Sequence, residues 1–132
     1  MKKFYFAMLG MALLFSLSAF AAGGDEYLSK DHAVCMDKAG GVTPDMLDCI
    51  ASEAEQQEKQ LNIVYKKVIA GLSKDRQEAL KKAQRAWLQY RELYSGYLYN
   101  PDGGQIAIIN ANSWHMSITA ARVQELKAEI EP

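Results

Sequence analysis

The side chains that could do chemistry in this 132-residue chain are few in kind: two cysteines, two histidines and a surplus of carboxylates. Cys35 and Cys49 bracket a stretch containing Gly40, Gly41 and Pro44, residues that let a chain turn back on itself. The pair can close as a disulfide, or join His32, Met36 and Met46 in holding a metal. A structural zinc site needs four nitrogen or sulfur ligands, and only His115 is left to complete one. The spacing therefore favours the disulfide, which across so short a loop stabilises by about 3 kcal/mol in the chain-entropy account. The carboxylates offer acid–base pairs only by chance, because helices dense in glutamate bring acids together at every turn. His115 has no base or orienting group beside it in sequence and reads as a surface or boundary histidine. Without a glycine-rich phosphate loop, an HExxH helix or a nucleophile elbow, no catalytic, cofactor-binding or metal-binding residue is assigned. A binding or structural protein is favoured over an enzyme.

A second concentration of chemistry lies in AQRAWLQYRE, Ala83 to Glu92. Wound at about 100° per residue, this stretch puts Trp87, Tyr90 and Tyr94 in the middle of an apolar stripe, where they are expected to be core. Arg85 falls on the opposite side among Lys81, Lys82, Gln89 and Glu92 and is expected in water. Arg91 lies at the edge of the stripe. A guanidinium there needs a carboxylate or carbonyl partner, and Glu58 occupies a matching edge of the preceding helix.

The elements that must position these residues are helices. Apolar positions recur at three and four throughout, with no strand pattern. A first long helix is predicted from Thr43, as N-cap before Pro44 and Asp45, to about Ala70, with Leu47, Ile50, Ala54, Leu61, Val64, Tyr65 and Val68 inward. After Gly71, Ser73 can cap a second, carrying Leu80, Ala83, Trp87, Tyr90, Tyr94 and Tyr97, which NPDGG (Asn100 to Gly104) breaks. A third runs from roughly Gln105 to Glu129, with Ile109, Ser113, Met116, Ala120, Val123 and Ile130 on one side. A shorter segment, about Glu26 to Ala39, precedes them. The predicted fold is all-α: a small antiparallel bundle of three long helices plus a short disulfide-tethered N-terminal helix. Trp114 and Ile118 stack at i, i+4 away from the third helix's main stripe. They either receive the N-terminal arm, the favoured reading, or form an exposed patch for a partner.

The first 21 residues have the layout of a cleaved export signal: Lys2 and Lys3, an apolar run from Phe4 to Leu17, and the small-residue site Ala19-Phe20-Ala21. The apolar run is short for a membrane span, and no cysteine precedes Cys35 to carry a lipid. Residues 22–132 then make one small helical domain, periplasmic or secreted, with no stable membrane anchor. Cleavage removes two lysines and no acid, leaving 13 basic against 16 acidic residues and a net charge of −3. That balance argues against a nucleic-acid partner and suits a cationic protein.

Several of these residues occur together in a recognisable order: Cys35, Met46 to Cys49, Leu61-Asn62 with Tyr65, Ala83-Gln84-Arg85-Ala86-Trp87 with Tyr90-Arg91-Glu92, Gly103-Gly104, and Thr119 with Arg122 and Leu126. In this the chain resembles the LprI-like family of small exported helical proteins, whose namesake inhibits lysozyme. The resemblance spans essentially the whole mature chain. It also implies two departures. A second cysteine pair common in the family is replaced here by Ser95 and Trp114, and the lipoprotein cysteine of the namesake is missing.

The resemblance implies a protein-binding module that inhibits a lysozyme-type peptidoglycan hydrolase by plugging its two-carboxylate cleft. An acidic inhibitor would be steered toward a cationic lysozyme. The most protrudable element is the turn containing Asn100, Asp102, Gly103 and Gly104, which reads first as a plain interhelical connection and second as a contact, and Trp114 with Ile118 is the next candidate contact. The alternatives are an envelope accessory or stress-related binding protein without lysozyme activity and, ranked below it, an unrecognised enzyme.

Overall fold

The computed structural model describes residues 24–131; the expected leader lies outside them. Four α-helices follow in order: α1 (Lys30–Ala39), α2 (Thr43–Gly71), α3 (Lys74–Leu98) and α4 (Gly104–Lys127), with short 3-10 turns at Gly24–Tyr27 and Pro101–Gly103. Among the described residues there is no strand, and the all-α bundle of three long helices with a short, disulfide-tethered N-terminal helix is the architecture observed.

Local chemistry sets the boundaries. The Ser29 hydroxyl accepts from the His32 backbone N–H at 3.0 Å and caps α1. That helix stops where Gly40 and Gly41 take φ of 56° and 84°, left-handed values that cost glycine little. The chain reverses there, and Cys35 is bonded to Cys49 with Cα atoms 5.7 Å apart. Val42, rather than Thr43, takes the N-cap position of α2, with Pro44 in the first turn. Ser73 stands at the N-cap of α3 but its side chain does not cap. The Gln77 amide closes that connection instead, donating to the Leu72 carbonyl at 3.0 Å.

The most extensive helix contact is between α2 and α4. They run in the same direction: Arg91 links Glu58 to Thr119, and further along Val68 and Leu72 line one groove with Leu126 and Glu129. Leu61, Val64 and Val68 pack with Val123 and Leu126, flanked by Tyr65, Leu72, Leu80 and Trp87. Each such buried aliphatic side chain is worth roughly 1.5–3 kcal/mol. Helix α4 also touches α3 and the Gly24–Tyr27 turn, so it is covered on several sides. Of its expected single stripe, Met116, Ala120 and Val123 are buried, but so are Ser117 and Thr119, while Ile130 is exposed beyond the helix end.

Helix α3 departs from expectation. Its most buried residues are polar, Gln84 and Arg91. Trp87 is half-buried against the core, whereas Tyr90 and Tyr94 are exposed. The placement of Tyr90 and Tyr94 in the core is thereby corrected: the inward line runs through Gln84, Leu88, Arg91 and Ser95. The cause is the neighbour, because α4 offers this side Thr119, Arg122 and the Ala111 carbonyl, groups that reward hydrogen-bonding partners.

The N-terminal arm docks on α2 and α4. Glu53, buried on α2, accepts hydrogen bonds from the Ser29 N–H at 2.9 Å, the Ser29 hydroxyl and the Gln57 amide at 2.8 Å. Burial pushes its carboxyl pKa up, but the bonds from Ser29 and Gln57 and the charge of nearby His32 outweigh this, leaving it below the ordinary glutamate value. Gly24 lies so close to α4 that an added Cβ would stand 1.8 Å from the Ser117 carbonyl oxygen, and the Ser117 hydroxyl donates to Asp25. The arm meets α4 at Ser117 and Ala121, while Trp114 packs on Tyr90 and Tyr94 of α3.

Candidate functional site

Arg91 sits one third of the way from the end of α3, where its side chain crosses the space between the three long helices. Nη1 donates to Glu58 on α2 at 2.5 Å and to the Thr119 hydroxyl on α4 at 2.9 Å, while Nε and Nη2 reach Glu92 at 3.2 and 3.1 Å. The expected pairing with Glu58 is present; the position is not an edge but the buried centre of the helix face. Its guanidinium carbon also lies 5.1 Å from the Trp87 ring centroid, and that of Arg122 lies 5.7 Å from it. Trp87 thus contacts two cations by its π-system. Gln84 accepts from Arg122 at 3.1 Å, and Arg122 continues to Glu125 at 2.7 Å. Among the described residues no buried polar side-chain atom of this cluster lacks a partner, so Glu58, Trp87 and Arg91 hold the helices in register.

His115 gains a companion that its sequence neighbours do not supply. Its Nε2 lies 3.2 Å from Glu92 across the α3–α4 contact. Burial raises the Glu92 pKa, but hydrogen bonds from His115 and Arg91 and their charges lower it further, for a net fall. Both cysteines are joined in the disulfide, which takes them out of the metal reading, and among the described residues no group of three metal-ligating side chains converges.

The tyrosines that leave the core gather outside it. Tyr90, Tyr94 and Tyr97 recur at one helical turn on α3, with ring centroids 5.7 and 5.6 Å apart, and Trp114 of α4 packs on them at 4.7 Å from Tyr94 and 6.0 Å from Tyr90. Tyr97 is 76 % exposed and Leu93 is 68 % exposed. The strip leads to the α3–α4 turn, where Tyr99 and Ile106 are also exposed. Such contiguous aromatic surface is uncommon on a monomer and marks contact sites. Ile118 is half-buried, and the exposed apolar surface here is formed by Trp114 with the tyrosines.

The turn itself is built more firmly than its composition suggests. The Asn100 side chain accepts from the Asp102 N–H at 3.0 Å. Gly104 has φ 61° and ψ −154°, a region open essentially to glycine. An added Cβ on Gly103 would stand 2.7 Å from the Ala107 Cβ. Asn100, Gly103 and Gly104 therefore shape the turn, and Asp102 is the side chain it presents to solvent.

Comparison with known proteins settles the family. The family model described as lysozyme inhibitor LprI matches residues 35–126. The chain belongs to the LprI family. The match starts on the first disulfide cysteine and ends on Leu126, a buried core residue, so it frames the tethered bundle. No curated protein and no solved structure matches the chain. The residues that carried the LprI resemblance, Gln84, Trp87, Arg91, Thr119 and Arg122, form the connected cluster around Trp87. The Ser95 hydroxyl donates to the Ala111 carbonyl at 3.4 Å and Trp114 packs on Tyr94. What the sequence missed were Glu53, Gln57 and the exposure of the tyrosines. The signal for Glu53 was available: an acid on the same side as Ile50 and Leu61 must be paired if buried.

Proposed function

We propose that the protein is a periplasmic inhibitor of lysozyme-type peptidoglycan hydrolases, and that it holds them through the aromatic strip Tyr90–Tyr94–Tyr97–Trp114 and the adjoining turn at Asp102. The family match carries the activity. The strip supports the choice of face, because tyrosine and tryptophan give large, stiff contact area and dominate the energetics of protein interfaces. Trp114 is steadied by the tyrosines on α3, so little side-chain freedom is lost on contact. Residues 24–58 carry nine acids against two lysines, and Asp102 lies at the same end of the bundle as the start of α2. That end attracts a cationic enzyme during encounter. Inhibition needs only that the cleft between the enzyme's carboxylates be covered.

The test is a lysis assay with residues 22–132 and a purified cationic lysozyme. Wild-type protein inhibits at micromolar concentration or below, and Tyr97→Ala weakens inhibition with unchanged helical content. Absence of inhibition by the wild type would instead favour an envelope accessory role.

A further inference from the structure

The negative net charge of the chain conceals a segregation. Residues 59–91, the end of α2 and most of α3, hold nine Lys or Arg and only two acids, Asp75 and Glu78. Glu78 is consumed by Lys81 at 2.8 Å, and Lys59 by Glu55 at 2.8 Å. Arg91 is buried in its network, and Arg76 faces Glu125 and Glu129 across the groove beside α4. Five remain, Lys66, Lys67, Lys74, Lys82 and Arg85: all are exposed, and none has an ion-pair partner among the described residues. Lys67 is wound about 100° past Lys66, away from the Asn62 and Tyr65 side that faces α3, which leaves four on the outer side of the hairpin. They lie within about three helical turns of the α2–α3 connection.

Their side of the hairpin is also the one that α4 leaves uncovered. Helix α3 stands off α2, and the opening between them, about 360 Å³, is lined by residues of these two helices alone, including Tyr65, Lys81, Gln84, Arg85 and Leu88. The cations around it are mainly lysines on flexible stems, spread along two helices rather than converging on one point. A strongly hydrated, mobile ammonium suits a diffuse layer of negative charge better than a stereospecific acceptor, which favours arginine forks held by packing.

We propose that the outer face of the α2–α3 hairpin is a docking surface for the phosphate-rich headgroups of an anionic lipid bilayer. The contact is peripheral and reversible: no helix of the described residues is long and apolar enough to cross a membrane. It rests on the reading of the protein as exported, and it concerns a face separate from the aromatic strip. Opposed charge at the two ends orients the molecule, because residues 24–58, with nine acids against two lysines, are repelled while the hairpin is drawn in. The α3–α4 turn, at the far end of the bundle, then points away from the bilayer.

Each lysine or arginine close to an anionic leaflet changes partitioning by roughly fivefold, so four together give a change of several hundredfold that salt screens. The experiment is co-sedimentation of residues 22–132 with vesicles of phosphatidylcholine containing or lacking phosphatidylglycerol. Binding is expected only to the anionic vesicles, falling steeply as ionic strength rises, and lost in the variant Lys66→Glu, Lys74→Glu, Lys82→Glu, Arg85→Glu. These positions are exposed, so the variant keeps its fold, checked by circular dichroism; the four glutamine substitutions serve as a milder second set. Lysozyme inhibition by either variant stays at the wild-type level, which separates this proposal from the inhibitor reading. No binding to anionic vesicles, or undiminished binding by both variants, overturns it. Salt-sensitive self-association without lipid also overturns it, pointing the hairpin at the acidic end of a second copy.

Discussion

Replacing Arg91 by alanine tests the architecture most directly. The substitution removes four hydrogen bonds, to Glu58, Thr119 and twice to Glu92, and the cation over Trp87. Breaking a fully buried ion pair costs about 3–5 kcal/mol. Here Arg91 is buried, but the Glu58 side chain is 36 % exposed and that of Glu92 is 64 % exposed, so both acids recover water and the Glu92 share shrinks toward that of a surface pair. Thr119 keeps its bond to the His115 carbonyl at 2.7 Å. The expected loss is therefore about 2–3 kcal/mol, part of it from the void beside Trp87. For a domain of this size that is a fall in Tm of roughly 10–20 °C. Thermal and urea denaturation followed by circular dichroism would measure it, with Arg85→Ala as the exposed control, expected within about 0.5 kcal/mol of wild type. A double-mutant cycle with Glu58→Gln should return a coupling of at least about 1 kcal/mol. Equal midpoints for Arg91→Ala and Arg85→Ala, or zero coupling, would refute the argument that this guanidinium ties the three helices together.

The remaining expectations follow from other parts of the fold. Cys35→Ser with Cys49→Ser should lower stability by about 3 kcal/mol, and intact mass of the wild-type protein after thiol alkylation should find no free thiol. Because the folded pKa of Glu53 lies below its unfolded value, its contribution to stability is present above the unfolded pKa of about 4.3 and is lost as pH falls through the folded value. Glu53→Gln should therefore flatten the acid limb of stability against pH, and an unchanged slope would count against the Ser29–Glu53 clasp. Tyr97→Ala should leave Tm within a few degrees of wild type and weaken lysozyme inhibition by at least about thirtyfold if Tyr97 anchors the contact. Asp102→Lys should mainly slow association at low salt; it is a cleaner probe than Asn100→Ala, which would also remove the bond that shapes the turn.

Much of this fold is legible in the sequence because it is written in periodicity. Leu61, Val64 and Val68 repeat at helical spacing and do form the core, and the glycines at 40 and 41 end α1 as their composition implies. The reading failed where burial and hydrophobicity part company. On α3 the tyrosines look like core at 90, 94 and 97, yet the buried line carries Gln84 and Arg91, because the facing surface of α4 is polar. A single helix cannot reveal what its neighbour presents. The same holds for Glu53, whose partners Ser29 and Gln57 come from two different elements, and for Glu92 and His115, which meet only once α3 lies on α4. Of the face proposed here for contact, Trp114 and the turn stand out in the sequence as candidates, while the tyrosines that accompany them read as core.

The parallel pairing of α2 with α4 has a consequence for how the protein comes into being. Val123 and Leu126, which close the core against Leu61, Val64 and Val68, stand within the last ten residues of the chain and about sixty positions from their partners. Loop-closure entropy delays such distant contacts. A chain made from its N-terminus onward therefore stays open until Val123 and Leu126 have been added. Through that interval Cys35 and Cys49, 14 positions apart, already meet by simple diffusion. On a chain delivered unfolded to an oxidising compartment, the cross-link can form before there is a core to shelter it. A version ending at residue 121 should accordingly oxidise normally yet never acquire a cooperative melt, and oxidation in this protein would be a local event that assembly inherits.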